Sequence, residues 1–108
     1  MRKRQPYPRP SFTNVQQASL PVLPSLVRRW LRAGRLQGSE WVALNPLRDD
    51  SQLGSFKVNL CTGRWADFAT GDKGGDAISL AAYLHGLTQL EAARRLAEML
   101  GLAERARP

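Results

Sequence analysis

The chain has 108 residues, which suits one compact domain and is too short for two. Its formal charge of +7 is unevenly spread: Arg2, Lys3, Arg4, Arg9, Arg28, Arg29, Arg32 and Arg35 fall in residues 1–39 without a single acid, while residues 40–108 are close to neutral. That asymmetry points to an anionic partner, and the lone Cys61 and lone His85 exclude an intramolecular disulfide and an ordinary structural zinc site.

Residues 1–17 are rich in Arg, Lys, Pro, Gln, Ser and Asn, with Pro6, Pro8 and Pro10 alternating with Tyr7 and Arg9. This composition predicts an extended basic arm without a core of its own, able to lie along phosphates. No apolar stretch follows the basic start, so it does not read as a signal peptide. The longest mostly apolar run, Ala77 to Leu84, is far short of the ~20 residues a membrane span needs, and the expected location is cytoplasmic.

Pro24 followed by Leu26, Val27, Trp30 and Leu31 predicts a helix over about 22–33, ended by Gly34. Arg28, Arg29 and Arg32 fall opposite its apolar stripe and lack acidic neighbours at i±4. Trp41 to Leu44 is β-prone, and Asn45-Pro46 marks a turn. Phe56, Val58 and Leu60 alternate with Lys57 and Asn59, which predicts a half-buried strand. Thr62-Gly63 is a hairpin turn, and Arg64 to Phe68 returns as the next strand. A two-residue loop places Trp65 on the apolar face. A three-residue loop with a bulge pairs Val58 with Phe68 and leaves Trp65 beside Lys57 and Asn59. The second register is preferred because it keeps Asp67 off the core.

Gly71 to Gly75 forms a glycine-rich loop, after which Asp76 caps an apolar helix over Ala77 to His85, ended by Gly86. Thr88 and Glu91 then form a capping box for a last helix running to about Leu100 and stopped by Gly101, with Leu90, Ala93, Ala97 and Leu100 as its inner stripe. Arg94 and Arg95 are offset by Glu98 and Glu91 at i, i+4. The expected architecture is a small α+β domain with a three-stranded antiparallel sheet flanked by helices, spanning residues 18–102 between the arm and a 103–108 tail.

The glycine-rich loop fails as a phosphate cradle, because no Gly-Lys-Ser/Thr follows and Asp72 and Asp76 would repel phosphate there. A turn needing positive φ explains it better. Cys61 and His85 have no catalytic partners in view, and no carboxylate pair is evident, so no enzymatic constellation and no cofactor are expected. Lys57, Asn59, Arg64 and Trp65 are the stronger candidates. Bases beside an exposed aromatic on a sheet suit single-stranded nucleic acid, with Lys73 at the rim.

From Trp41 onward the chain resembles the CHC2-type zinc-binding domain at the N-terminus of bacterial and phage primases. Its nearest likeness is to primase-helicase modules of phages, plasmids and other mobile elements. The carriers are Gly54 to Val58, Gly63 to Phe68, Lys73 to Leu80 and Leu90 to Ala97, within a similarity covering about residues 26–102. The resemblance implies a zinc-ribbon-like sheet flanked by helices that binds template DNA for priming. All four ligand positions are substituted: the Cys-Pro-x-His stretch reads Asn45-Pro46-Leu47-Arg48, and the later Cys-x-x-Cys reads Asp67-Phe68-Ala69-Thr70. The expectation is a metal-free fold in which Arg48 and Asp67, with Asn45 and Thr70, replace the metal by a salt bridge and hydrogen bonds.

The combined expectation is a non-catalytic single-stranded DNA-binding module of a primase or replication system. Its surface would comprise Arg28, Arg29, Arg32, Lys57, Arg64, Trp65 and Lys73. The rival reading is a protein-interaction module that docks on a replication polymerase or helicase.

Overall fold

The computed structural model describes residues 10–48 and 55–102. Two helices, α1 (Phe12–Ser19) and α2 (Leu23–Trp30), are joined by a 3-10 turn over Leu20–Val22. Five strands follow: β1 (Gly34–Gln37), β2 (Glu40–Ala43), β3 (Phe56–Asn59), β4 (Trp65–Asp67) and β5 (Lys73–Gly74). Helices α3 (Ala77–His85) and α4 (Gln89–Met99) complete the fold. The class is α+β, as expected, but the sheet has five antiparallel strands in the order β1-β2-β3-β4-β5 instead of three.

The first correction concerns the N-terminal arm. Ser11 caps α1, its Oγ accepting the Asn14 N–H at 3.2 Å. Helix α1 then packs on α3 and α4, burying Val15. Gln16 Nε2 donates to Asp76 Oδ2 at 2.7 Å, tying α1 to the start of α3. A truncation at residue 17 would therefore cut into the core. Arg2, Lys3, Arg4, Tyr7 and Arg9 lie outside the described residues, as does the 103–108 tail.

Helix α2 buries Leu23, Leu26 and Val27 as its periodicity predicts, but it ends at Trp30. Leu31 leaves the helical region (φ −128°, ψ 68°), and its carbonyl accepts the Trp41 indole N–H at 2.9 Å. Gly34 does not stop the helix. It opens β1 opposite Ala43, where a Cβ would run into the Trp41 indole and the Val42 carbonyl.

The hairpin between β3 and β4 corrects the preferred register. The chain turns over Leu60, Cys61, Thr62 and Gly63, with the Asn59 N–H donating to the Arg64 carbonyl at 2.7 Å. Val58 faces Trp65, and Phe56 faces Asp67. The inner sheet face thus carries Trp41, Ala43, Phe56, Val58, Trp65 and Asp67, all buried. Phe56 stacks on Trp65 at 5.7 Å, and Trp65 meets Tyr83 of α3 at 4.7 Å. Aromatic area of this kind dominates the energetics of a small core.

The Thr88/Glu91 capping box and the Asp76 cap form as expected, the structure adds Ser79 as the second member of a capping box at Asp76, and Gly86 takes the left-handed conformation (φ 67°). The inner stripe of α4 is Ala92, Ala93, Leu96 and Ala97, so Leu90 and Leu100 sit at its margin. In the glycine-rich loop only Gly71 has positive φ among the glycines from 71 to 75. Gly74 serves a different purpose. It lies opposite Trp65, where a Cβ would collide with Ser79 Oγ and the Trp65 indole, two groups that hydrogen-bond each other at 2.9 Å. Gly74→Ala is expected to cost about 1–3 kcal/mol by overpacking, measurable as a lower urea midpoint.

Candidate nucleic-acid interface

Residues paired across strands share a face, so the register assigns the outer side of the sheet directly. One row runs Arg35, Val42, Lys57, Ala66, Lys73 through all five strands. The next row holds Gln37, Glu40 and Asn59, with Arg64 opposite Asn59 at the hairpin end. Four bases therefore share this face with one acid, Glu40. Arg35, Arg64 and Lys73 are exposed, Lys57 is half-buried, and Val42 is buried within its row. Alternate strands lie about 10 Å apart, which is the spacing of Arg35, Lys57 and Lys73 along the row.

Phe68 completes this face. Its N–H donates to the Ser55 carbonyl at 2.7 Å, extending the β3–β4 ladder by one residue, and strand alternation turns its ring outward. The ring is 70% exposed, and Lys57 Nζ stands 5.7 Å from its centroid. An ammonium over an aromatic face is favourable. A flat, exposed ring beside cations is also the arrangement that accepts a stacked base.

Behind this face lies a buried polar knot. Asp67 has no solvent exposure. Its Oδ2 accepts Arg48 Nε at 3.0 Å and Asn45 Nδ2 at 2.8 Å. Its Oδ1 accepts Arg48 Nη2 at 3.3 Å and the Ala69 N–H at 2.8 Å. Asn45 also reaches the Tyr83 hydroxyl at 2.9 Å, and that hydroxyl donates to Asp72 Oδ2 at 2.7 Å. Burial pushes the Asp67 carboxyl up, but the hydrogen bonds from Asn45, Arg48 and Ala69 and the charge of Arg48 outweigh it and bring the pKa down to about 2. Burial and the bond to Asp72 hold the Tyr83 hydroxyl above its ordinary value. The knot fixes the 67–72 loop, since the Asp67 carbonyl also accepts the Gly71 N–H at 2.8 Å and the Asp67 N–H donates to the Asp72 carbonyl at 2.8 Å.

Three of the four expected metal-replacing residues converge here: Asn45, Arg48 and Asp67. Thr70 does not bring its side chain to the carboxylate; its hydroxyl accepts the Asp72 N–H at 3.2 Å. A zinc site needs several thiolate, imidazole or carboxylate donors. These positions supply one carboxylate, already engaged, and a guanidinium, so they do not fit zinc. Among the described residues, no group of three or more His, Cys, Asp or Glu side chains comes together.

The other predicted surface residues divide. Lys57, Arg64 and Lys73 share the outer face. Trp65 does not: it is 5% exposed and faces the core, because the observed register buries it against Phe56 and Tyr83. Arg28 lies on the helical side, its guanidinium 5.3 Å from the centroid of the inner-face Trp41 ring. Arg29 and Arg32 are exposed near the end of the same helix, where cations complement the helix dipole. Sequence reasoning missed Phe68 and Arg35. Alternation from a core-facing Trp65 would have turned Phe68 outward, and Arg35 counted only toward the charge excess. Neither the family models nor the curated proteins compared with the chain match it. Among the described residues, no helix is long and apolar enough to cross a membrane.

Proposed function

We propose that this protein is a non-catalytic module that binds single-stranded nucleic acid on the outer face of its sheet. The observation that carries the reading is the exposed Phe68 ring beside Lys57, on a face that also bears Arg35, Arg64 and Lys73. A base stacks on Phe68 while the cations follow the phosphates, so affinity depends little on sequence. A duplex offers no unstacked base to the ring, which favours single strands. The order of motifs from Trp41 onward resembles that of primase zinc-binding domains, and on that resemblance the setting is a primase or replication system of a phage, plasmid or mobile element, with DNA as template. The Asn45–Arg48–Asp67 knot then holds together the loops that zinc holds in that family. Cys61, in the β3–β4 turn, and His85, edge-on to Trp30 at 5.5 Å, stand on separate elements.

The test is fluorescence anisotropy of a labelled oligothymidine across a salt series. Binding should weaken steeply with salt, and Lys57→Ala or Lys73→Ala should each flatten the slope of log K against log salt by about 0.7. Absence of binding at low salt would overturn the reading.

A further inference from the structure

We propose that the open edge of β1 takes an extended, acidic segment of a protein partner as a sixth strand. Strand β1 is the outermost of the sheet. It joins β2 through a turn over Gly38 and Ser39, in which Gly38 has φ +63° and Ser39 does not have positive φ, the pattern of a type II′ turn. In such a hairpin the closing pair, Gln37 and Glu40, exchanges backbone bonds, and so does Arg35 with Val42. The N–H and C=O groups of Gly34 and Leu36 then point away from the sheet, where an incoming strand would pair with them. The opposite edge offers only the two residues of β5.

Side chains at this edge specify the occupant. Leu36 is 53% exposed, an apolar contact left open beside the buried Trp41. Arg35 stands on the outer face, and Arg28 on the inner side over Trp41. Arg29 and Arg32 are also exposed, and no acid occurs between residues 10 and 39. Charge usually protects an edge strand from pairing. Charge of one sign does so selectively: it opposes a second copy, which would set Arg35 against its counterpart, and it favours an acidic strand. The complementary segment alternates acidic residues opposite Arg35 with apolar residues opposite Leu36. The edge shares Arg35 with the outer face proposed for nucleic acid, whereas Leu36 belongs to the edge and not to that face.

The probe is a short peptide alternating Glu and Val, titrated into the full chain at low salt. The expected result is binding with slowed amide exchange at Gly34 and Leu36. Leu36→Pro removes an outward donor without touching the β1–β2 ladder. It should weaken the peptide by more than about tenfold, while the melting temperature and oligothymidine binding stay as in the parent. Arg35→Glu should likewise lose the Glu-Val peptide and gain one alternating Lys and Val. The proposal is overturned by no binding at low salt, by binding that survives Leu36→Pro in a folded protein, or by unchanged charge preference in Arg35→Glu. It is also overturned if the parent chain dimerises through this edge, seen as a dimer that Leu36→Pro dissociates.

Discussion

Replacing Asp67 with Leu is expected to destabilise the fold by about 3–5 kcal/mol. Leu keeps the branched skeleton of Asp, but its two methyls are larger than the carboxylate oxygens, so overpacking supplies part of the loss. The larger part is polar: the substitution removes one partner each from the Arg48 guanidinium, the Asn45 amide and the Ala69 N–H at a carboxylate position with no solvent exposure, while Arg48 keeps Ser55 and partial access to water. Against a total stability of roughly 5–15 kcal/mol, this brings the domain close to unfolding. Thermal melts followed by circular dichroism provide the measurement. Changing both partners, Arg48→Met with Asp67→Leu, should recover much of the loss, because an apolar pair leaves no uncompensated charge. A double variant as unstable as Asp67→Leu alone would show that the ion pair is not the source.

The same carboxylate sets an acid limb. Its folded pKa of about 2 lies below the usual 3.8, so in that interval the unfolded chain binds more protons than the folded one. Stability from this group, about 2 kcal/mol, is present above pH ~4 and disappears as the pH falls through ~2. Asp67→Asn should flatten the stability–pH curve over that window.

Phe68→Ala should lower oligothymidine affinity by about 1–3 kcal/mol, or roughly 5- to 150-fold, with little change in melting temperature. The ring is largely in solvent, so its removal leaves no cavity. The salt slope should stay as in the parent, because no phosphate contact is lost. Trp65→Ala should show the reverse pattern: a loss of about 3–5 kcal/mol in stability, with no selective loss of stacking in protein that remains folded. Affinity unchanged in Phe68→Ala would remove the stacking platform from the proposed function. This pair of variants separates the two aromatic residues of β4 and its extension, which the sequence alone leaves interchangeable.

What was legible in the chain follows the range of the interactions involved. Helices α3 and α4 were readable nearly to the residue, because the Asp76 cap and the Thr88/Glu91 capping box act within one turn and Gly86 ends α3 by its own backbone geometry. The outward Lys57 and Asn59 were readable from simple alternation. Helix α1 was not, because its polar sequence hides a single buried valine and its hold on α3 comes from Gln16 meeting Asp76 across the fold. The Arg48–Asp67 pair was legible only through the resemblance, as two substituted positions of opposite charge.

The sequence by itself determined helices α3 and α4, the buried stripe of α2, the alternation of β3 and the concentration of charge in the first third. Tertiary structure decided which aromatic faces outward. Seen locally, turning Asp67 inward is costly, and the register that keeps it out also exposes Trp65. Arg48 and Asn45 arrive from a distant loop and satisfy the buried carboxylate, which removes that cost and leaves Trp65 free to fill the core. Phe68 is then exposed, one residue further along the same strand direction. The charge asymmetry is divided in the same way: Arg35 joins Lys57 and Lys73 on the outer face, while Arg28 stands on the inner side over Trp41, because Val42 and Trp41 point to opposite faces of β2.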